Sequence, residues 1–149
     1  MEGLSVAASV AGLLRISDKI IEDLSNVTNA PPVVRDLLTE VRDMRTAFGQ
    51  LEMFLRTCDD HQKDRTSLVD VDDLIAILTG CVCTFSELGT VLELSDQRGC
   101  NGPGNRARGA VADPGLARIS RNLNSEKSPL AVLLSMSVHH RIRMGFASC

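Results

Sequence analysis

Residues 34–55 read Val34-Arg-Asp-Leu-Leu-Thr-Glu-Val-Arg-Asp-Met-Arg-Thr-Ala-Phe-Gly-Gln-Leu-Glu-Met-Phe-Leu55, and their period decides the fold class. Val34, Leu37, Val41, Met44, Phe48, Leu51 and Leu55 occupy the a and d positions of a heptad without a miss. Leu38 and Phe54 widen the stripe, while Arg35, Asp36, Glu40, Arg42, Asp43, Arg45 and Glu52 lie on other faces. The pattern predicts a helix of about six turns with one face packed against partners.

The stretches on either side repeat the signal. Downstream, Val71, Leu74, Leu78, Cys81, Phe85, Leu88 and Leu92 form a second heptad series, broadened by Ile75, Ile77 and Val82. Asp70, Asp72 and Asp73 stand at its start, where carboxylates favour the positive end of the helix dipole. Upstream, Val6, Val10, Leu13, Ser17, Ile20, Leu24 and Val27 recur at spacings of four and three and line one face of a helix. Asn29-Ala-Pro-Pro32 separates the first helix from the second, because the prolines end one helix and can occupy the first turn of the next. Residues 58–67 are polar and aperiodic, a loop or frayed helix end. The expected architecture is all-α: an antiparallel helical bundle of three long helices plus one or two short C-terminal helices.

Composition agrees with helix-on-helix packing. The chain has 149 residues, the length of one domain, with four Phe and neither Tyr nor Trp, so its core must be Leu, Val, Ile, Ala and Met. The net charge of −3 conceals an asymmetry. Residues 1–97 hold 17 acidic and 8 basic residues, a balance of −9, whereas residues 98–149 hold 2 and 8, a balance of +6. The acidic first part argues against a nucleic-acid partner, since phosphate repulsion opposes association. Five cysteines without an even framework, and no secretory signal at Met1-Glu2, point to free thiols in a reducing, cytoplasmic setting.

The organisation changes after residue 97. Residues 98–115 pack five Gly and two Pro into 18 positions and are expected to be a disordered linker. Leu116–Asn124 and Leu130–His139 predict two short helices broken at Ser128-Pro129, inside a partly helical basic tail, 116–149, that adds little to the fold.

Motifs that would carry chemistry are few. Cys81 and Cys83 stand two apart on a helix, about 200° around its axis, and read as inert cysteines rather than a redox or metal pair. Cys58, His61, His139 and His140 lack a paired Cys anchor for zinc, and Asp59, Asp60, Asp70, Asp72 and Asp73 lack the glycine and terminal glutamate of a calcium hand. There is no phosphate loop and no nucleophile elbow. No catalytic residue, metal, cofactor or small-molecule substrate is expected. The N-terminal segment offers more. Residues 3–14 carry no charge and place small residues at Gly3, Ala7, Ala8, Ala11 and Gly12, which permits close helix approach in a bundle or a membrane. Residues 1–14 are too few to span a bilayer as a helix, which takes roughly 20. Leu4, Val6, Val10, Leu13 and Leu14 are the expected interaction or membrane-facing residues.

Met1 to Leu14, Ala30-Pro31, Leu37-Leu-Thr-Glu-Val-Arg-Asp-Met44, Leu51 to Leu55 and Leu78-Thr-Gly-Cys-Val-Cys-Thr-Phe-Ser-Glu-Leu88, in that order, resemble the fungal N-terminal domain of STAND (NLR-like) proteins. That family is related to the HeLo-like domains and also carries the description of an azaphilone pigment cluster protein L N-terminal domain. The resemblance covers residues 1–95. It implies a helical effector or oligomerisation module of receptors in non-self recognition and regulated cell death, at times membrane-associated. The partner it implies is a protein or a second copy, met through helix faces, with membrane contact by the N-terminal helix as an alternative. A truncated or vestigial structural protein of the same family is a further alternative. The chain departs from the family in carrying no nucleotide-binding or repeat region. Residues 98–115 are also outside the pattern and read as a retained intron or gene-model insertion. Ala117-Arg-Ile-Ser-Arg121 and Glu126-Lys-Ser-Pro-Leu130 resemble a later family helix that usually lacks the proline.

Overall fold

The computed structural model describes residues 2–27, 29–60, 71–97 and 114–147, with side chains described for 6–27, 29–56, 72–93 and 115–135. Every element among them is a helix: α1 (Glu2–Ser25), α2 (Pro32–Asp60), α3 (Val71–Gln97) and α4 (Pro114–Ala147). Most of the linker expected at 98–115 lies outside the described residues, but Pro114 and Gly115 open α4.

The break between α1 and α2 follows from its residues. The amides of Asn26 and Val27 close the last turn on the carbonyls of Glu22 and Leu24. Asn29 then takes a left-handed φ of 56°, which Asn tolerates better than most side chains. Pro32 supplies the first helical residue, and the Pro31 carbonyl accepts from the amides of Val34 and Arg35 at 3.0 and 3.1 Å, so α2 begins without needing a donor from either proline.

The heptads become the core. Val34, Leu37, Val41, Met44, Phe48 and Leu51 of α2 are buried, as are Leu74, Leu78, Cys81, Phe85, Leu88 and Leu92 of α3. Val6, Val10, Leu13, Ser17, Ile20 and Leu24 of α1 join them, and Leu55, Leu38, Phe54 and Val27 are half-buried at the margin. Ser17 is a polar residue in an apolar stripe, and its hydroxyl is satisfied by donating to the Leu13 carbonyl at 2.6 Å. Ile75 and Val82 do not extend the core as their spacing suggested. They face outward, because a third helix surface is already occupied on both sides.

The C-terminal third departs most from expectation. Its two short helices are one helix, continuous through Pro129. A proline inside a helix removes one backbone donor and crowds the carbonyl four residues earlier, here Ser125. Ser125 and Pro129 are both exposed, so water can reach the unpaired carbonyl, and the buried flanking residues hold the helix together. Leu116, Ile119, Leu123, Leu130 and Leu134 are buried in the same core as the heptads of α2 and α3. Burying a leucine is worth about 1.5–3 kcal/mol, so this segment contributes heavily to the fold rather than little.

Four helix pairs carry the packing: α1 with α2, α1 with α3, α2 with α4 and α3 with α4. The short-connection rule predicts α2 and α3 as neighbours, yet they are not a principal pair. They meet through the middle instead, where the rings of Phe48 and Phe85 lie edge to face with centroids 5.7 Å apart. The reason is that α1 and α4 each lie against both of them.

Candidate interaction surface

Each of the four packed pairs carries its own ion pair. Asp18 of α1 accepts from Arg45 of α2 at 2.6 Å, and Lys19 of α1 stands 3.8 Å from Glu93 of α3. Arg118 of α4 pairs with Glu87 of α3, and Lys127 of α4 reaches Asp43 at 2.6 Å and Glu40 at 3.4 Å on α2. The neighbouring acids hold the Lys127 ammonium above the usual lysine range, chiefly through the Asp43 hydrogen bond. These pairs are largely exposed and screened by water, so they fix register more than strength. Two of the eight cations after residue 97, Arg118 and Lys127, thus sit on acids of α2 and α3.

Two grooves open between helices. One, of about 520 Å³, lies between α2 and α4 and is lined by Asp43, Ala47, Gln50, Lys127, Ala131 and Leu134 among others. The second, of about 220 Å³, lies between α1 and α3, with Ile16, Ile20, Asp23, Phe85, Gly89 and Thr90 in its walls. Lys19 and Glu93 also line the second groove.

The outer face of α3 is different in kind. Ile75, Ala76, Thr79, Val82, Cys83, Ser86 and Thr90 are exposed, and none carries a charge. Charged side chains return only at the ends of this face, with Asp72, Asp73 and Glu93. The stretch from 75 to 90 is roughly 22 Å long at the helical rise. The Thr79 and Thr90 hydroxyls donate to the carbonyls of Ile75 and Ser86 at 2.7 and 2.9 Å. With their donors used internally, these threonines present mainly methyl groups to solvent. By contrast the exposed face of α2 carries Arg35, Asp36, Arg42, Asp43, Arg45 and Arg56. Among the described residues, Asp72–Glu93 is also the one segment long and apolar enough to cross a membrane by length and composition, with a third of it buried. Its apolar character is divided between the core stripe and this outer face.

The residues expected to face a partner or a membrane are placed elsewhere. Val6, Val10 and Leu13 are core residues, 0–4% exposed, and Leu14 is half-buried against the core. The Leu4 side chain lies outside the described residues. An uncharged segment reads the same whether it meets lipid or its own core, and here the heptad places it in the core. The exposed residues of this part of α1 are Ala7, Ala8 and Ala11.

Sequence reading also passed over a polar contact inside the α3–α4 interface. Thr84, buried on α3, donates to Oε1 of Glu126 on α4 at 2.8 Å. Gly80 makes room for this carboxyl: a Cβ there would lie 3.2 Å from the same oxygen. Burial raises the Glu126 carboxyl above the usual glutamate range, with the Thr84 hydrogen bond and the neighbouring Cys81 thiol opposing it. Burial, with the carboxyl beside it, pushes the Cys81 thiol up to about 12. The signal available in the sequence was that Glu126 is one of only two acids after residue 97.

Cys81 is buried and Cys83 exposed, which separates the two thiols as their spacing required. No group of three or more His, Cys, Asp or Glu that could hold a metal occurs among the described residues. Cys58, His61, Asp59, Asp60, Asp70, His139 and His140 have no described side chains. Comparison with protein-family models, with curated proteins and with solved structures gives no match for the chain.

Proposed function

We propose that this chain is a non-enzymatic helical interaction module that docks a helical protein partner on the outer face of α3. The observation that carries the reading is the uncharged face from Ile75 to Thr90, on a molecule whose other described helices each expose charged side chains. A contiguous uncharged face with exposed Ile75 and Val82 is the kind of surface that marks contact sites. The residues that resemble the N-terminal domain of fungal NLR-like proteins give the proposal its biological setting: a signalling or oligomerisation module in regulated cell death, cytoplasmic and membrane-associated on activation.

The reading includes a specific arrangement, a four-helix bundle in which consecutive helices run antiparallel. Contact order supports it. Arg42 and Arg45 on α2 meet Ser25 and Asp18 on α1, so rising numbers on one helix meet falling numbers on the other. Arg118 with Glu87 and Glu126 with Thr84 repeat the relation between α3 and α4. Lys127 with Asp43, and Leu134 beside Ala47 and Gln50, run in the same sense, so the non-consecutive pair α2 and α4 is parallel.

The test is capture of partners by the full chain and by Ile75→Glu/Val82→Glu. Both side chains are 37–39% exposed, so the variant should keep its helical circular dichroism and unfolding midpoint. The expected result is loss of capture. Capture at wild-type levels by a folded variant would exclude the α3 face. A membrane reading through α1 would require Val6, Val10 and Leu13 to leave the core first. It predicts liposome leakage that disappears when residues 1–14 are deleted.

A further inference from the structure

The α3–α4 interface holds a carboxyl group whose environment suits only one of its protonation states. Glu126 Oε1 accepts from Thr84, but Oε2 is buried and has no hydrogen-bond partner of acceptable geometry. The Cys81 thiol is close enough to interact with the carboxyl without completing that bond. Among the described residues, no cation forms an ion pair with Glu126. Among the charged groups that α3 and α2 present to this stretch of α4, Glu87 is taken by Arg118, and Glu40 and Asp43 are taken by Lys127. The next residue after Glu126 is therefore fixed to α2, while Glu126 itself is set against α3. Three residues on, Pro129 deprives the Ser125 carbonyl of its helical donor, so the turn that carries Glu126 lacks one backbone hydrogen bond. Beyond it, Leu130 and Leu134 are buried.

We propose that Glu126 is a pH-responsive latch: as the neutral acid it holds α4 on α3, and on ionisation it loosens α4 from Pro129 through Leu134. The physical cause is direct. A buried carboxylate oxygen without partner or counter-ion carries an uncompensated charge, whereas the neutral acid carries none. The sign follows from linkage. A carboxyl raised in the folded state stabilises the fold while it is protonated, and that contribution is lost as pH rises through its folded value.

The experiment compares the full wild-type chain with Glu126→Gln by hydrogen exchange between about pH 5 and about pH 8, corrected for intrinsic exchange rates. In wild type, opening at Leu130 to Leu134 should become several-fold more frequent toward the alkaline end. In Glu126→Gln, neutral at every pH and nearly isosteric, it should stay level at the low-pH wild-type value. The same alkaline rise in the variant would overturn the proposal. A second readout needs no variant: the side-chain carboxyl carbon-13 resonance of Glu126 in wild type should titrate above the ordinary glutamate range of about 4.3. Titration at or below that range would overturn it equally.

Discussion

The two cysteines of Cys81-Val-Cys83 show what two residues of helical offset do. Cys81 lies at a core position and its thiol is pushed up to about 12, because burial and the adjacent Glu126 both disfavour the thiolate. Cys83 lies on the outer face of α3. Because the thiolate is the reactive species, an alkylating reagent at neutral pH should modify Cys83 and leave Cys81 untouched until the chain unfolds. Peptide-resolved mass spectrometry reads this directly, and equal labelling of the two in the folded state would contradict the placement. The separation was legible from spacing alone. Burial, the larger cause of the raised thiol, follows from the same core position; the further contribution of Glu126, 45 positions away in sequence, was not legible. Long-range polar contacts leave no periodic trace.

The elements divide along the same line. α2 and α3 could be read from their heptads because burial on one helix face imposes a period, and a period survives in the sequence. Two features escaped it. Ile75 and Val82 have the spacing of a broad core stripe, but whether a broad stripe is covered depends on which neighbours exist, and α4 covers the opposite flank. Pro129 signalled a break, yet Leu123 before it and Leu130 after it are both fully buried, and packing of that size outweighs one lost hydrogen bond. Pro129→Ala should therefore restore the bond to Ser125 without removing any packing, since Pro129 is exposed. The expected gain is about 1–3 kcal/mol in a urea denaturation, the range over which proline disfavours a helix interior relative to alanine. A loss of stability would mean that the helix is not continuous at this point.

At the scale of the molecule, charge and packing agree. The acidic first two-thirds and the basic remainder, which looked like two differently constituted segments, are brought together by Arg118 on Glu87 and Lys127 on Glu40 and Asp43. The charge balance of each segment shows the asymmetry but not that two of the cations are paired within the chain. The proposed function depends on this. The face from Ile75 to Thr90 is an outer face because α1 and α4 occupy the other sides of α3, and the Glu126 latch exists only where α4 lies on α3. The most direct test is hydrogen exchange on the full chain beside a fragment ending at residue 97. If four helices form one cooperative unit, amides of 116–134 should be protected together with those of 34–51 and 74–92, and the fragment should lose protection at 74–92. Rapid exchange of 116–134 in the full chain, with an undisturbed 1–97 fragment, would contradict the account.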